Sequence, residues 1–212
     1  MASVTPFRAL RYTASAGDIA ALTCPPYDIV SEAQRKSFLA RNPYNMIRLE
    51  LPREGEDVYA AAGQTLADWL AAGVLKTAEK PAFYLYAMDF SVGGRAYTVS
   101  GLIGEVALSP FSDGVVLPHE ETLSKAKEDR FQLMKATNCN FSTIYSLYSD
   151  GENKLDVSVF AETAPLWWDM TDGDGVRHRL WVIEDKADCV RISAHFADKK
   201  LYIADGHHRY ET

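Results

Sequence analysis

Near the end of this 212-residue chain, Asp205, Gly206, His207, His208 and Arg209 set a carboxylate, a glycine, two imidazoles and a guanidinium side by side. They follow the apolar run Leu201-Tyr202-Ile203-Ala204, which reads as a buried strand. Asp-Gly ends such a strand sharply, because glycine accepts positive φ and lets a ligand approach the backbone. A helix starting directly after the turn would point free N–H groups and its dipole at an anion. The Arg209 guanidinium adds a fork suited to phosphate or carboxylate. Gly206, His208 and Arg209 are therefore expected to hold a phosphate, with Asp205 and His207 available for metal binding or proton transfer. The plainer alternative is a hairpin turn carrying two solvated histidines.

Three other stretches carry chemistry of the same kind. Pro118-His119-Glu120-Glu121 follows the short apolar run Val115–Leu117, and open sheets present ligand-contacting residues at the carboxyl ends of strands. His119 and Glu120 are candidates for general acid and base, and Glu120, like Asp205, can hold Mg2+ through oxygen. Alternatively the two glutamates simply favour a helix start. Cys24-Pro25-Pro26-Tyr27-Asp28 must be extended or turned. It either holds Tyr27 and Asp28 toward a substrate or merely ends an element. Lys127 and Arg130 lie three apart, on one helix face with Leu123 and Met134, as basic groups that reach toward phosphate. Lys125 and Asp129 show the ordinary solvated ion-pair spacing. The expectation is a composite site in which Asp28, His119, Glu120 and Arg130 converge on the Asp205–Arg209 turn. A phosphate turn alone supplies neither a spare carboxylate for metal nor a base for a hydroxyl.

The elements that must position these groups follow from periodicity. Ser31 reads as the N-cap of a helix over Glu32–Arg41, with Glu32 too early to complete a capping box. Ile47–Leu51 alternates apolar and charged residues, the pattern of a half-buried strand. Asp57–Leu70 is an amphipathic helix with Val58, Ala62, Leu66, Trp69 and Leu70 at helical spacing, and Gly73 stops it. Ala82–Phe90 and Tyr97–Leu108 form a hairpin around Gly93-Gly94, expected at the centre of the sheet. The same hairpin is the candidate edge for a homodimer. Thr122–Thr137 reads as a helix, Phe141–Tyr148 as a strand, and Val157–Thr163 as either. Thr171–Gly175 is a hairpin turn that lacks the closing glutamate of a calcium loop. Arg177–Glu184 is the returning strand. Asp185–Ala197 is a helix with Val190, Ile192 and Phe196 inward, where His195 has a structural role. The pattern predicts an α+β or mixed α/β architecture, a central, largely antiparallel sheet with packed helices, and no firm boundary within residues 1–212.

Composition limits the partners. A hydrophobic content of 47% supports a real core. A net charge of −7 and a pI near 5.2 argue against generic nucleic-acid or anionic-membrane binding. No apolar run approaches the roughly 18 residues of a membrane span, and residues 1–5 lack the start of a signal peptide. Cys24, Cys139 and Cys189 are odd in number and far apart, which fits reduced thiols in a cytoplasm.

The string Ala204–Glu211, with Cys24–Ser31, Asn42-Pro43-Tyr44-Asn45 and Pro118–Thr122 through Asp129-Arg130, resembles the bacterial and archaeal family catalogued as domain of unknown function 1015. The resemblance runs nearly end to end in the family's order, and its Asp-Arg pair singles out Arg130. Family chains continue beyond the terminal motif, so the resemblance implies that residues 1–212 are an N-terminal portion of a longer protein. A narrower likeness, confined to the Asp-Gly-His-His-Arg turn, is to the nucleotide-binding box of the ParB/sulfiredoxin superfamily and its free-serine kinases. It implies a ParB/sulfiredoxin-like element at the C-terminal motif. It also implies ATP or ADP with Mg2+ as cofactor, and phosphate transfer to a hydroxylated metabolite such as serine. ParB-type DNA binding does not carry over to so acidic a chain. The competing expectation is a non-catalytic nucleotide or metabolite sensor, or a protein-interaction module.

Overall fold

A computed structural model describes residues 1–212. Along the chain run β1 (Val4–Thr5), β2 (Leu10–Tyr12), α1 (Ile19–Leu22), α2 (Glu32–Arg41), α3 (Ile47–Glu50), α4 (Val58–Ala71), β3 (Leu75–Thr77), β4 (Phe83–Val92), β5 (Arg95–Ile103) and β6 (Glu105–Val106). Then come β7 (Val116–Leu117), α5 (Ser124–Thr137), β8 (Tyr145–Leu147), α6 (Val159–Thr163), β9 (Leu166–Thr171), β10 (Arg177–Ile183), α7 (Lys186–Phe196), β11 (Leu201–Asp205) and α8 (His207–Glu211). The fold is α+β, with mainly antiparallel sheets. Two compact units share the chain. One comprises Met1–Ala9, Ala78–His119 and Ser146–Ala204, the other Leu10–Thr77, Glu120–Tyr145 and Asp205–Thr212. Each is assembled from three separated stretches, so no linear boundary marks them in the sequence.

The first unit is built on a four-stranded antiparallel sheet in the order β5-β4-β10-β9. Gly93 and Gly94 turn the β4–β5 hairpin at φ of 58° and 78°, the paired positive values of a two-residue turn that matches strand twist. The hairpin lies at one side of this sheet rather than at its centre, with β4 interior and β5 on the edge. Phe83, Leu85 and Ile183 are buried, as are Cys189, Ile192 and Phe196 of α7. Val190, expected inward, is 61% exposed, because Cys189, Ile192 and Phe196 already form the stripe one helical face can bury. Strands β7, β11 and β8 form a separate three-stranded sheet in which β11 runs parallel to β7.

The second unit packs α1 to α5 and α8 with the short β2–β3 ribbon. Leu22, Leu49, Leu66, Trp69, Val74 and Leu75 form its core, with Tyr12 and Tyr44 against them. Trp69 is thus a core residue, as its stripe predicts. Ile47–Glu50 is a helical turn, not the strand that alternation suggested. The cause is Asn45, fully buried, whose amide donates to the Ala21 and Thr23 carbonyls and accepts from the Ile47 N–H. That lock sets Ile47, Leu49 and Glu50 inward together. Ser31 does head a capping box, closed by Gln34 rather than by an acidic residue. Helix α5 begins at Ser124, and the strand expected over Phe141–Tyr148 shrinks to Tyr145–Leu147. No helix is long and apolar enough to cross a membrane.

Candidate functional site

Strand β11 ends at Asp205, and Gly206 then turns the chain at φ 95° and ψ 27° into α8. A Cβ on Gly206 would lie 3.0–3.1 Å from the Arg209 guanidinium, so that group rests against the glycine backbone. Arg209 donates to the Thr143 carbonyl and to Asp205 Oδ2. Its side chain is largely buried, whereas Asp205 is exposed. Gly206 offers no side-chain cap to the first turn of α8.

Helix α8 is joined to the start of α5 and the residues just before it by four further contacts. Buried His207 places Nδ1 3.0 Å from Glu120 Oε1. The Leu123 N–H donates to His208 Nε2 at 3.0 Å, which fixes that nitrogen as an unprotonated acceptor. Glu211 accepts from Thr122 and from Lys127 at 2.6 and 2.7 Å. The Lys127 hydrogen bond holds the Glu211 carboxyl below its ordinary pKa, helped by Thr122.

Beside these lies a buried polar cluster. The Arg130 guanidinium sits 3.8 Å above the Tyr27 ring, a cation–π contact that is strong when water is excluded. It donates to the Glu50 carbonyl at 2.9 Å and to the Asp129 carboxylate, and Tyr59 donates to that carboxylate in turn. The Glu50 side chain is 5% exposed, with Oε1 3.7 Å from Arg130 Nη1. The Ser142 hydroxyl donates to the same Oε1 at 2.9 Å. Burial raises the Glu50 pKa, outweighing the Ser142 hydrogen bond and the charges of Arg130 and Arg209. Burial likewise raises the Tyr27 phenol against the pull of Arg130 and Arg209. Both arginines therefore act on one patch formed by Tyr27 and Glu50. Cys24, close enough to feel Glu50, is pushed up to about 12 mainly by burial, so it is not poised as a thiolate nucleophile.

Among the residues picked out in the sequence, the second unit brings Glu120 to His207, and Tyr27 and Arg130 into electrostatic reach of Arg209. Exposed Asp28 lies within the same field. Lys127 points elsewhere, to Glu211, and lines a shallow depression of about 280 Å³ with Ser124 and Phe131. Leu123, expected to share its buried face, is 72% exposed. His119 belongs to the first unit, where its Nε2 lies 3.4 Å from the Ala204 carbonyl. No three His, Cys, Asp or Glu side chains are grouped to hold a metal ion. Sequence reasoning missed Glu50, Ser142 and Thr143. Glu50 was hidden by the alternation of its segment, and the preceding Asn42–Asn45 turn is the signal that would have exposed it.

The profile of a family described as "Protein of unknown function (DUF1015)" matches residues 4–212. No curated protein and no solved structure matches the chain.

Proposed function

The chain belongs to the DUF1015 family, and from that premise we propose that its second unit binds a phosphate-bearing small molecule, a nucleotide in the first instance, at the Asp205–Arg209 turn. The observation that carries this reading is the Arg209 guanidinium held at the Asp205–Gly206 turn, in the unit where Arg130 stacks on Tyr27 beside Glu50. Arg209 is presented by a glycine that leaves its guanidinium against the backbone, and Asp205 is its exposed anionic partner. An incoming phosphate takes the place of Asp205 on the guanidinium fork, a bidentate exchange that phosphate geometry favours. The turn's backbone N–H groups supply the second contact.

Phosphoryl transfer to a small hydroxylated metabolite such as free serine extends this reading. Such chemistry needs positioning and charge stabilisation more than a protein nucleophile. Arg209 and Arg130 balance the phosphate charge. Asp205, an exposed carboxylate freed from Arg209 by that exchange, accepts the proton of the substrate hydroxyl. Glu120 holds the His207 ring in place. For Mg2+, Asp205 and Glu120 each offer a single carboxylate. That donor set suits a magnesium ion completed by phosphate oxygens and water, rather than an all-protein cage. The protein would act in a cytoplasm, where its three free cysteines stay reduced. One observation favours the alternative, a nucleotide or metabolite sensor without turnover: His207, Glu50 and Arg130 are 1%, 4% and 6% exposed, closed to a substrate. Incubation with Mg2+, serine and either ATP or ADP separates the two. Phosphoserine supports transfer, and nucleotide binding without product supports the sensor.

A further inference from the structure

Strand β5 is a nine-residue sheet edge, Arg95–Ile103, whose first seven residues are all exposed. Natural edge strands are short or are guarded by lysine, proline or a bulge, because unpaired N–H and C=O groups recruit other strands. The opposite edge of this sheet is guarded. β9 has six residues, and its pairing with β10 shifts at Leu180/Trp181. β5 has no proline or lysine, and its one charge, Arg95, stands at its start over the Tyr97 ring at 5.4 Å.

We propose that β5 pairs antiparallel with β5 of a second copy of this chain, joining two four-stranded sheets into one of eight. The sequence of β5 is self-complementary about Val99, which is what a two-fold contact requires. With Val99 opposite its own counterpart, Thr98 faces Ser100, Tyr97 faces Gly101 and Ala96 faces Leu102 of the second copy. Hydroxyl, β-branched and aromatic cross-strand pairs of this kind stabilise a ladder, and this register opposes no like charges. Tyr97 stacks on Phe90 at 5.9 Å, and Gly101 has nothing within 4 Å of its Cβ position. The ring of one copy therefore covers the bare glycine of the other. The two-fold also continues one face, since Met170, His178, Met88 and Val99 already form a row across β9, β10, β4 and β5. That row meets its copy at Val99.

Sedimentation velocity of the full chain over a concentration series, with hydrogen exchange read at the β5 amides, tests the proposal. A monomer–dimer equilibrium is expected, with exchange in β5 slowing as dimer forms. Val99→Lys, which sets two lysines face to face at an exposed position, should raise the dissociation constant about tenfold or more. Ser100→Pro should do the same by removing a ladder donor and narrowing the backbone. A chain monomeric at every concentration overturns the proposal. So does a dimer that both variants leave intact and whose β5 amides exchange at the monomer rate.

Discussion

Replacing Gly206 with alanine perturbs the turn in two separable ways. At φ 95° and ψ 27° an L-residue pays a backbone penalty of about 1–2 kcal/mol. The added Cβ would also lie 3.0 Å from Arg209 Nη2 and 3.1 Å from its Cζ and Nε. These are the far atoms of a flexible side chain, so the fold survives by moving Arg209 rather than the backbone. Arg209 then leaves the Thr143 carbonyl and Asp205. Losing those hydrogen bonds at a partly exposed site adds about 1 kcal/mol. The expected loss is thus about 2–3 kcal/mol in urea denaturation, together with at least a tenfold loss of phosphate affinity by calorimetry. Gly206→Asn should recover part of the stability, because asparagine tolerates the left-handed region, but not the affinity. Wild-type stability in Gly206→Ala would refute the backbone argument. Wild-type affinity would refute the claim that Arg209 must lie against the glycine.

Three other outcomes follow from the second unit. Asn45→Ala removes two donors and an acceptor from a fully buried site, and should cost about 3 kcal/mol by the same urea measurement. Because Glu50 is harder to ionise folded than unfolded, wild-type stability should fall as pH rises from 4.5 through its raised folded value. Glu50→Gln should lose this slope, and parallel pH profiles of the two proteins would contradict the burial argument. Glu211 behaves oppositely. Its lowered pKa contributes stability present above 4.5 and lost as pH falls through the folded value. Lys127→Ala should shrink that acid-side loss, as read from the urea midpoints below pH 4.5.

The terminal turn was legible because Asp-Gly ends an apolar strand sharply, and Gly206 adopts the positive φ that glycine allows. The hairpin at Gly93-Gly94 and the Trp69 helix were legible for the same local reason. Glu50 was not. Its segment alternates like a strand, and only Asn45, bonding to carbonyls more than 20 residues earlier, makes it a helical turn. The pairing of Glu120 with His207, 87 positions apart by subtraction of their numbers, likewise depends on α8 meeting α5. No periodicity reports such a contact. The Arg130–Tyr27 stack was not legible either: both residues were candidates, but they lie far apart in the chain and no spacing sets one over the other.

The central claim is that the Asp205–Arg209 turn takes a phosphate, and titration of the full chain with ADP and with inorganic phosphate tests it most directly. Calorimetry would give the affinity, and amide shifts would locate the site. The account predicts saturable binding and shifts at Gly206, His207 and His208. It also predicts at least a tenfold loss in Arg209→Ala and none in Lys36→Ala, an exposed lysine on α2 of the same unit. No binding at millimolar ligand, or equal affinity in Arg209→Ala, would contradict it.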